Sequence, residues 1–199
     1  MESIQGKRAL RIDAPALLGR LAGYQEVLLD IGAGDGRFVR QMAAEYPARF
    51  AIGVDACREN LRANSHAAQA NALYLIADAR ALPCALDQQA THVTINFPWG
   101  SLLESLLSGE PALMNGLSSI SCPNAGVEIR LNSGALAEAS TALEAGAEKI
   151  HHNLLRSGWQ FNAPVAMNAS ALRNFPSTWA KRLAFGRDPR AMAMSGYCK

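Results

Sequence analysis

Short apolar runs recur along the chain, each followed by a turn and then by a segment with apolar residues at helical spacing. Val27-Leu28-Leu29-Asp30-Ile31 is the first such run, and its length suits a buried parallel strand. Glycines follow it, then a helical stretch from Arg37 to Tyr46 that stops at Pro47. The alternation continues with a strand over 50–54, a helix over 58–69, and strands over 73–76 and 92–97. A short helix over 102–107, a strand over 127–131 and a long Ala-rich helix over 136–155 come next. Gly158 ends that helix, 159–167 reads as a sixth strand, and 191–197 as a seventh beyond a linker. Before the first strand, 4–12 alternates weakly around Gly6-Lys7 as a short hairpin, and Asp13 caps a helix over 15–22. Strands alternating with helices predict an α/β fold with a parallel, doubly wound sheet. The expected organisation is a single domain over 1–199, with 1–13 as hairpin and 168–190 as a basic linker.

Composition narrows the class. The 199 residues are 49% hydrophobic and 18% charged, outside the range of disordered chains. No apolar run approaches the roughly 20 residues of a membrane span, and the N-terminus lacks the apolar core of a signal peptide. Cys57, Cys84, Cys122 and Cys198 stand far apart with no CxxC pair, so the expectation is reduced thiols in a cytoplasmic protein. The net charge of +2 conceals an asymmetry. From Arg173 to Lys199 six Lys/Arg face one acid, Asp188, while the preceding 172 residues carry 13 bases against 16 acids. A basic end on an acidic body suggests contact with a polyanion, or simply a solvated tail.

The chemistry concentrates after the first buried strand, in Asp30-Ile31-Gly32-Ala33-Gly34-Asp35-Gly36. Glycines between a strand and a helix let the backbone turn sharply and approach a ligand closely. A dinucleotide site would want a further glycine at position 37, which is Arg37 here. A carboxylate at Asp30 repels a pyrophosphate and suits a ligand that carries an ammonium and a sulfonium, as S-adenosylmethionine does. Asp55 closes the second strand, where an acid can accept both ribose hydroxyls. Asp78, followed by Ala79, comes just after the third strand and could accept from an adenine amino group. Turns favour Asp in any case, so the weight lies in three acids at the ends of successive strands beside one glycine loop.

After the fourth strand stands Asn96-Phe97-Pro98-Trp99-Gly100-Ser101-Leu102-Leu103. Two readings fit it. The first four residues resemble the Asn-Pro-Pro-aromatic motif of enzymes that methylate exocyclic amino groups, with Phe97 in place of the first proline. Phe97-Pro98-Trp99-Gly100-Ser101 also resembles the hallmark of the aminoglycoside-resistance methyltransferases, the kanamycin–apramycin group, which act on N1 of an adenine in the decoding site of 16S rRNA. That second resemblance extends to Phe175-Pro176-Ser177-Thr178-Trp179-Ala180-Lys181-Arg182-Leu183-Ala184-Phe185-Gly186-Arg187, similar to the family's linker between its last two strands, and to Gln5-Gly6-Lys7 in an N-terminal hairpin. It covers nearly the whole chain.

The resemblance implies a class I methyltransferase fold with seven strands, the last antiparallel, using S-adenosylmethionine. It places Asp30, Gly32, Ala33, Gly34, Asp55, Asp78, Ala79 and Asn96 at the cofactor. Trp99 and Trp179 would sandwich a flipped adenine, with Phe97 and Pro98 shaping the loop. Lys7, Arg8, Arg11, Lys181, Arg182, Arg187 and Arg190 would meet phosphates of the 30S ribosomal subunit, the protein acting as a monomer without a metal. Physically, unstacking a base costs a few kcal/mol that aromatic stacking can offset, and the cation developing on the ring is stabilised by aromatic faces. Two positions depart from the family: Arg80 stands where a carboxylate is usual, and Asn96 where an apolar residue precedes Phe-Pro-Trp. Core roles remain open for both tryptophans, as anchor or cap, while Trp159 reads as core and His151-His152 as no metal pair. A methyltransferase for an exocyclic amino group or a small molecule, and a catalytically idle RNA-binding protein, are the rival functions.

Overall fold

The computed structural model describes residues 1–66, 69–178, 180 and 188–198. Trp179, Lys181, Arg182 and Arg187 lie outside the described residues. A sheet runs in the order β2 (Arg8–Arg11), β1 (Glu2–Gln5), β5 (Ala72–Ile76), β4 (Arg49–Asp55), β3 (Glu26–Ile31), β6 (Ala90–Asn96), β7 (Ser121–Asn132), β10 (Ala191–Tyr197) and β8 (Gln160–Phe161), with β9 (Val165–Ala166) also on β10. Its centre is parallel: β3 pairs with β4 and β6, β4 with β5, and β6 with β7. β10 runs antiparallel to β7, as the family resemblance implies. The expected hairpin forms from β1 and β2, and β1 extends the sheet antiparallel to β5.

Helices cover both faces because the central strands are apolar on both. Val27, Leu29 and Ile31 point into a core shared with α1 (Ala14–Leu21), α4 (Gly100–Ser108), α5 (Pro111–Ile120), α6 (Ser133–Glu138) and α7 (Leu143–Arg156). Leu28 faces the other way, toward Phe38 and Val39 of α2 (Arg37–Glu45) and Leu61 of α3 (Arg58–Ser65). Alternation along β3 therefore puts Asp30 on the same face as Leu28, at the strand's carboxyl end. There the chain has left β3 on one side for β4 and returned on the other as β6, a switch point where such sheets open a crevice.

Four elements differ from the pattern along the chain. α5 was not expected, although Gly109 in a left-handed turn (φ 65°) and Pro111 at the helix start mark its junction with α4. The Ala-rich helix is two helices, α6 and α7, separated where Ser140 adopts φ 55° and the Thr141 N–H bonds back to Leu136. Gly146 lets the two cross, since a Cβ there would come within 2.5 Å of Leu136. The sixth strand is reduced to β8 (Gln160–Phe161) and β9 (Val165–Ala166), each pairing with β10. The linker carries a helix, α8 (Ala169–Asn174), capped by the Asn168 side chain. Trp159 is core, as expected, with its indole N–H donating to Ser118.

Candidate active site

One cavity of about 300 Å³ opens at the switch point. Asp30, Gly32, Ala33, Gly34, Asp55, Asp78, Ala79 and Asn96 all line it, and so do Phe97, Pro98 and Trp99. The glycine loop and the Trp-containing motif, some 65 residues apart in sequence, thus share one wall-to-wall crevice. Its volume falls at the lower end of small-molecule sites.

The loop geometry follows from its glycines. Gly32 and Gly34 have φ of 73° and 56°, which favours glycine over any side chain, and a Cβ on Gly32 would collide with Leu102 at 2.6 Å. Asp55 locks the turn: its Oδ2 accepts from the Gly34 N–H and its Oδ1 from the Cys57 N–H, both at 2.8 Å. Burial pushes the Asp55 carboxyl above its ordinary range despite these bonds.

Asp30 is 2% exposed. Its Oδ1 accepts from the Thr94 hydroxyl at 2.7 Å and from the Asn96 amide at 2.8 Å, both on β6. Desolvation dominates and holds its carboxyl at about 7, although Thr94, Asn96 and the more distant Arg130 charge pull the other way. A buried carboxylate of this kind is relieved by a cationic ligand group. That chemistry fits the ammonium and sulfonium of S-adenosylmethionine.

Asp78 is engaged differently from the expectation of an open acceptor. Arg80 forks it, Nε donating to Oδ1 at 3.0 Å and Nη2 to Oδ2 at 2.6 Å, and this holds the Asp78 carboxyl down at about 2. The chain's departure from the family pattern at Arg80 is thus tied to the acid two residues earlier.

The Trp-containing loop turns at Phe97, a buried residue with φ 54°. Left-handed backbone at such a residue costs about 1–3 kcal/mol and persists only when its surroundings impose it. Here the Phe97 N–H donates to the Arg130 carbonyl at 2.8 Å, and its ring meets Phe175 edge-on at 5.6 Å. The turn delivers Pro98 and the half-buried Trp99 to the start of α4.

Several lining residues had no role assigned from the sequence: Asp35, Phe38, Asn60, Ser101, Leu102 and Ser177. Phe38 and Leu102 read as ordinary helix positions, and Ser177 arrives from the linker. Asp35 was visible as part of the glycine loop but had no assigned role.

Among the described residues, the expected phosphate contacts Lys7, Arg8, Arg11 and Arg190 do not form one patch. Register places Arg11 opposite Glu2, which pairs with Ile76 at the crevice end of the sheet. The Gly6-Lys7 turn then lies at the other end, where the Gly6 N–H donates to Ser65. Lys7, Arg8 and Arg11 are exposed. Arg190 is not an uncommitted cation: it forks Asp188 and lies 3.9 Å from Glu144. Among the described residues no group of three or more His, Cys, Asp or Glu could hold a metal, and no helix is long and apolar enough to cross a membrane.

A doubly wound sheet with an antiparallel last strand, a glycine turn after β3 and acids at the ends of three successive strands define a class I S-adenosylmethionine-dependent methyltransferase. Residues 2–198 match the model of the NpmA family, described as 16S rRNA (adenine(1408)-N(1))-methyltransferase, and the chain belongs to that family. It is 29% identical to the 16S rRNA (adenine(1408)-N(1))-methyltransferase of Streptoalloteichus hindustanus over 94% of both chains. It is 26% identical to that of Escherichia coli over 98% of this chain and 97% of the relative. The crystal structure of the 16S rRNA methyltransferase KamB shares the fold over the whole of both chains, with a TM-score of 0.89 at 24% identity.

Proposed function

We propose that this protein transfers a methyl group from S-adenosylmethionine to N1 of adenine 1408 of 16S rRNA in the assembled 30S subunit, the modification associated with aminoglycoside resistance. It would act as a single-domain monomer in the cytoplasm. The observation that carries this reading is the shared crevice, lined both by Asp30, Asp55 and the glycine loop and by Phe97-Pro98-Trp99.

Asp30 would face the cationic end of the cofactor, Asp55 its ribose, and Asp78 with Ala79 its adenine. When bound, the cofactor supplies an electrophilic methyl group on a sulfonium. Adenine N1 brings a neutral lone pair, so no proton has to leave before attack and no general base is required. The work of the protein is then positioning and exclusion of water. Trp99 offers a face for stacking and for the positive charge that the ring acquires. Trp179, outside the described residues, is the proposed second face.

In an amino-directed site the Asn96 carbonyl would accept an amino proton; here Arg130 takes one of its two lone pairs at 2.8 Å, and the amide nitrogen donates to Asp30.

The test is reverse transcription across the decoding site of 30S subunits treated with protein and cofactor. N1 methylation blocks Watson–Crick pairing, so the expected result is a stop at adenine 1408. Scattered cations read phosphate positions rather than sequence, so intact subunits should be modified and protein-free RNA hardly at all. No stop at that base, or equal modification of both substrates, overturns the reading.

A further inference from the structure

Arg130 does not line the crevice, yet it contacts two residues that do, Asn96 and Phe97, and a third residue, the aromatic Phe175, that packs on Phe97. It lies on β7 directly opposite Asn96 of β6. Its backbone carbonyl holds the Phe97 turn. Its side chain, 17% exposed, donates through Nη1 to Asn96 Oδ1 and through Nη2 to the Glu128 carboxylate. The flat face of the same guanidinium sits 4.5 Å over the Phe175 ring. Phe175 in turn stacks on Phe38 of α2 at 5.3 Å and 9°, and meets Phe97 edge-on.

Two consequences follow from the chemistry of these groups. An amide has one accepting and one donating end, so fixing the Asn96 carbonyl on Arg130 turns its NH₂ toward Asp30, where a reversed amide would set oxygen against oxygen. A guanidinium can fork hydrogen bonds in its plane while stacking through its face, which an ammonium cannot do. Arg130 therefore joins a buried carboxylate at the cofactor end to an aromatic cluster at the base end.

We propose that Arg130 is a positioning residue for methyl transfer, which orients Asn96 toward Asp30 and clamps Phe175 against the Phe97 turn so that cofactor site and base-facing loop form as one unit. The proposal deepens the methyltransferase reading and rests on it. The charged groups that bear on Asp30 are Arg130 from β7 and Asp55 from β4, and its uncharged partners are Thr94 and Asn96 from β6.

The experiment compares wild type, Arg130→Met, Arg130→Lys, Asn96→Leu and the Arg130→Met/Asn96→Leu double variant. Cofactor affinity is measured by calorimetry over a range of pH, and single-turnover methylation on 30S subunits. Activity of the wild type checks the functional reading separately. Arg130→Met should lose about tenfold in cofactor affinity near neutral pH, as expected for loss of a charged hydrogen-bond partner, and more in single-turnover rate. The midpoint at which affinity rises with pH should move upward, because a positive charge near Asp30 is gone; a merely structural defect would weaken binding at every pH alike. The double variant should be no worse than Arg130→Met alone, since both break one chain of contacts. Arg130→Lys should keep the midpoint but lose turnover, and it decides the matter if Arg130→Met does not fold. Wild-type behaviour of Arg130→Lys in turnover, an unmoved midpoint in folded Arg130→Met, or effects that multiply independently in the double variant would each overturn the proposal.

Discussion

Thr178 and Asp35 are 143 positions apart, yet the Thr178 hydroxyl donates to Asp35 Oδ2 at 2.6 Å. Asp35 directly follows Gly34, and its own backbone carbonyl accepts from Asn64. Thr178 directly precedes Trp179. The glycine loop thus holds the segment that leads into the second proposed stacking residue.

Breaking that bond should uncouple the two. A hydrogen bond to a charged group contributes about 1.5–3 kcal/mol, so Thr178→Val should lower kcat/KM on 30S subunits by roughly tenfold. Thr178→Ser should restore most of it. Unchanged kcat/KM in the valine variant would remove the contact from the working machinery.

Asp30 predicts two opposite pH dependences. Its carboxyl is raised from the ordinary 3.8 to about 7, so the folded protein favours the protonated form. Its contribution to stability is complete below the unfolded value and is lost as pH rises through about 7. The cofactor-free protein should therefore melt at a lower temperature at pH 8 than at pH 6, and Asp30→Asn should flatten that slope. Affinity for the cationic cofactor should rise across the same interval, as the carboxylate ionises. Thermal melts and calorimetry at matched ionic strength check both signs; a slope unaltered in Asp30→Asn assigns the effect to another group.

Trp99→Ala should cut methylation of 30S subunits tenfold to a hundredfold, since stacking contributes roughly 1–3 kcal/mol per base. Trp99→Phe should recover part of the loss. Trp99 also packs against the large core cluster, so circular dichroism melts accompany the assay. A large fall in melting temperature with turnover preserved would make Trp99 an anchor and not a stacking face.

Arg80 competes for the carboxylate assigned to the cofactor's adenine. Arg80→Ala should release Asp78 and tighten cofactor binding by roughly two- to fivefold, the scale expected of an exposed pair. Weaker binding in calorimetry would mean that Arg80 is needed to hold Asp78 in place.

What the sequence determined by itself was the alternation of elements and most of the crevice. Strand and helix periodicity follow from which positions must face a core, and this is local information; hence β3 to β7, the hairpin and the antiparallel last strand were all legible, the last through family resemblance. The crevice residues were legible for the same reason, because strand ends in a doubly wound sheet converge whatever the details of the helices. Where local signals were weak, the reading was wrong. A break at Ser140 needs no proline or glycine when Leu136 packs against Gly146, and β8 and β9 are strands only because β10 offers them an edge. Tertiary structure alone decided the partners. Nothing in the chain order brings Thr178 to Asp35, sets Arg130 between Asn96 and Phe175, or takes up Arg190 with Asp188 and Glu144. Such contacts depend on side chains from distant elements meeting where desolvation makes each hydrogen bond and charge count, and sequence spacing carries no record of that.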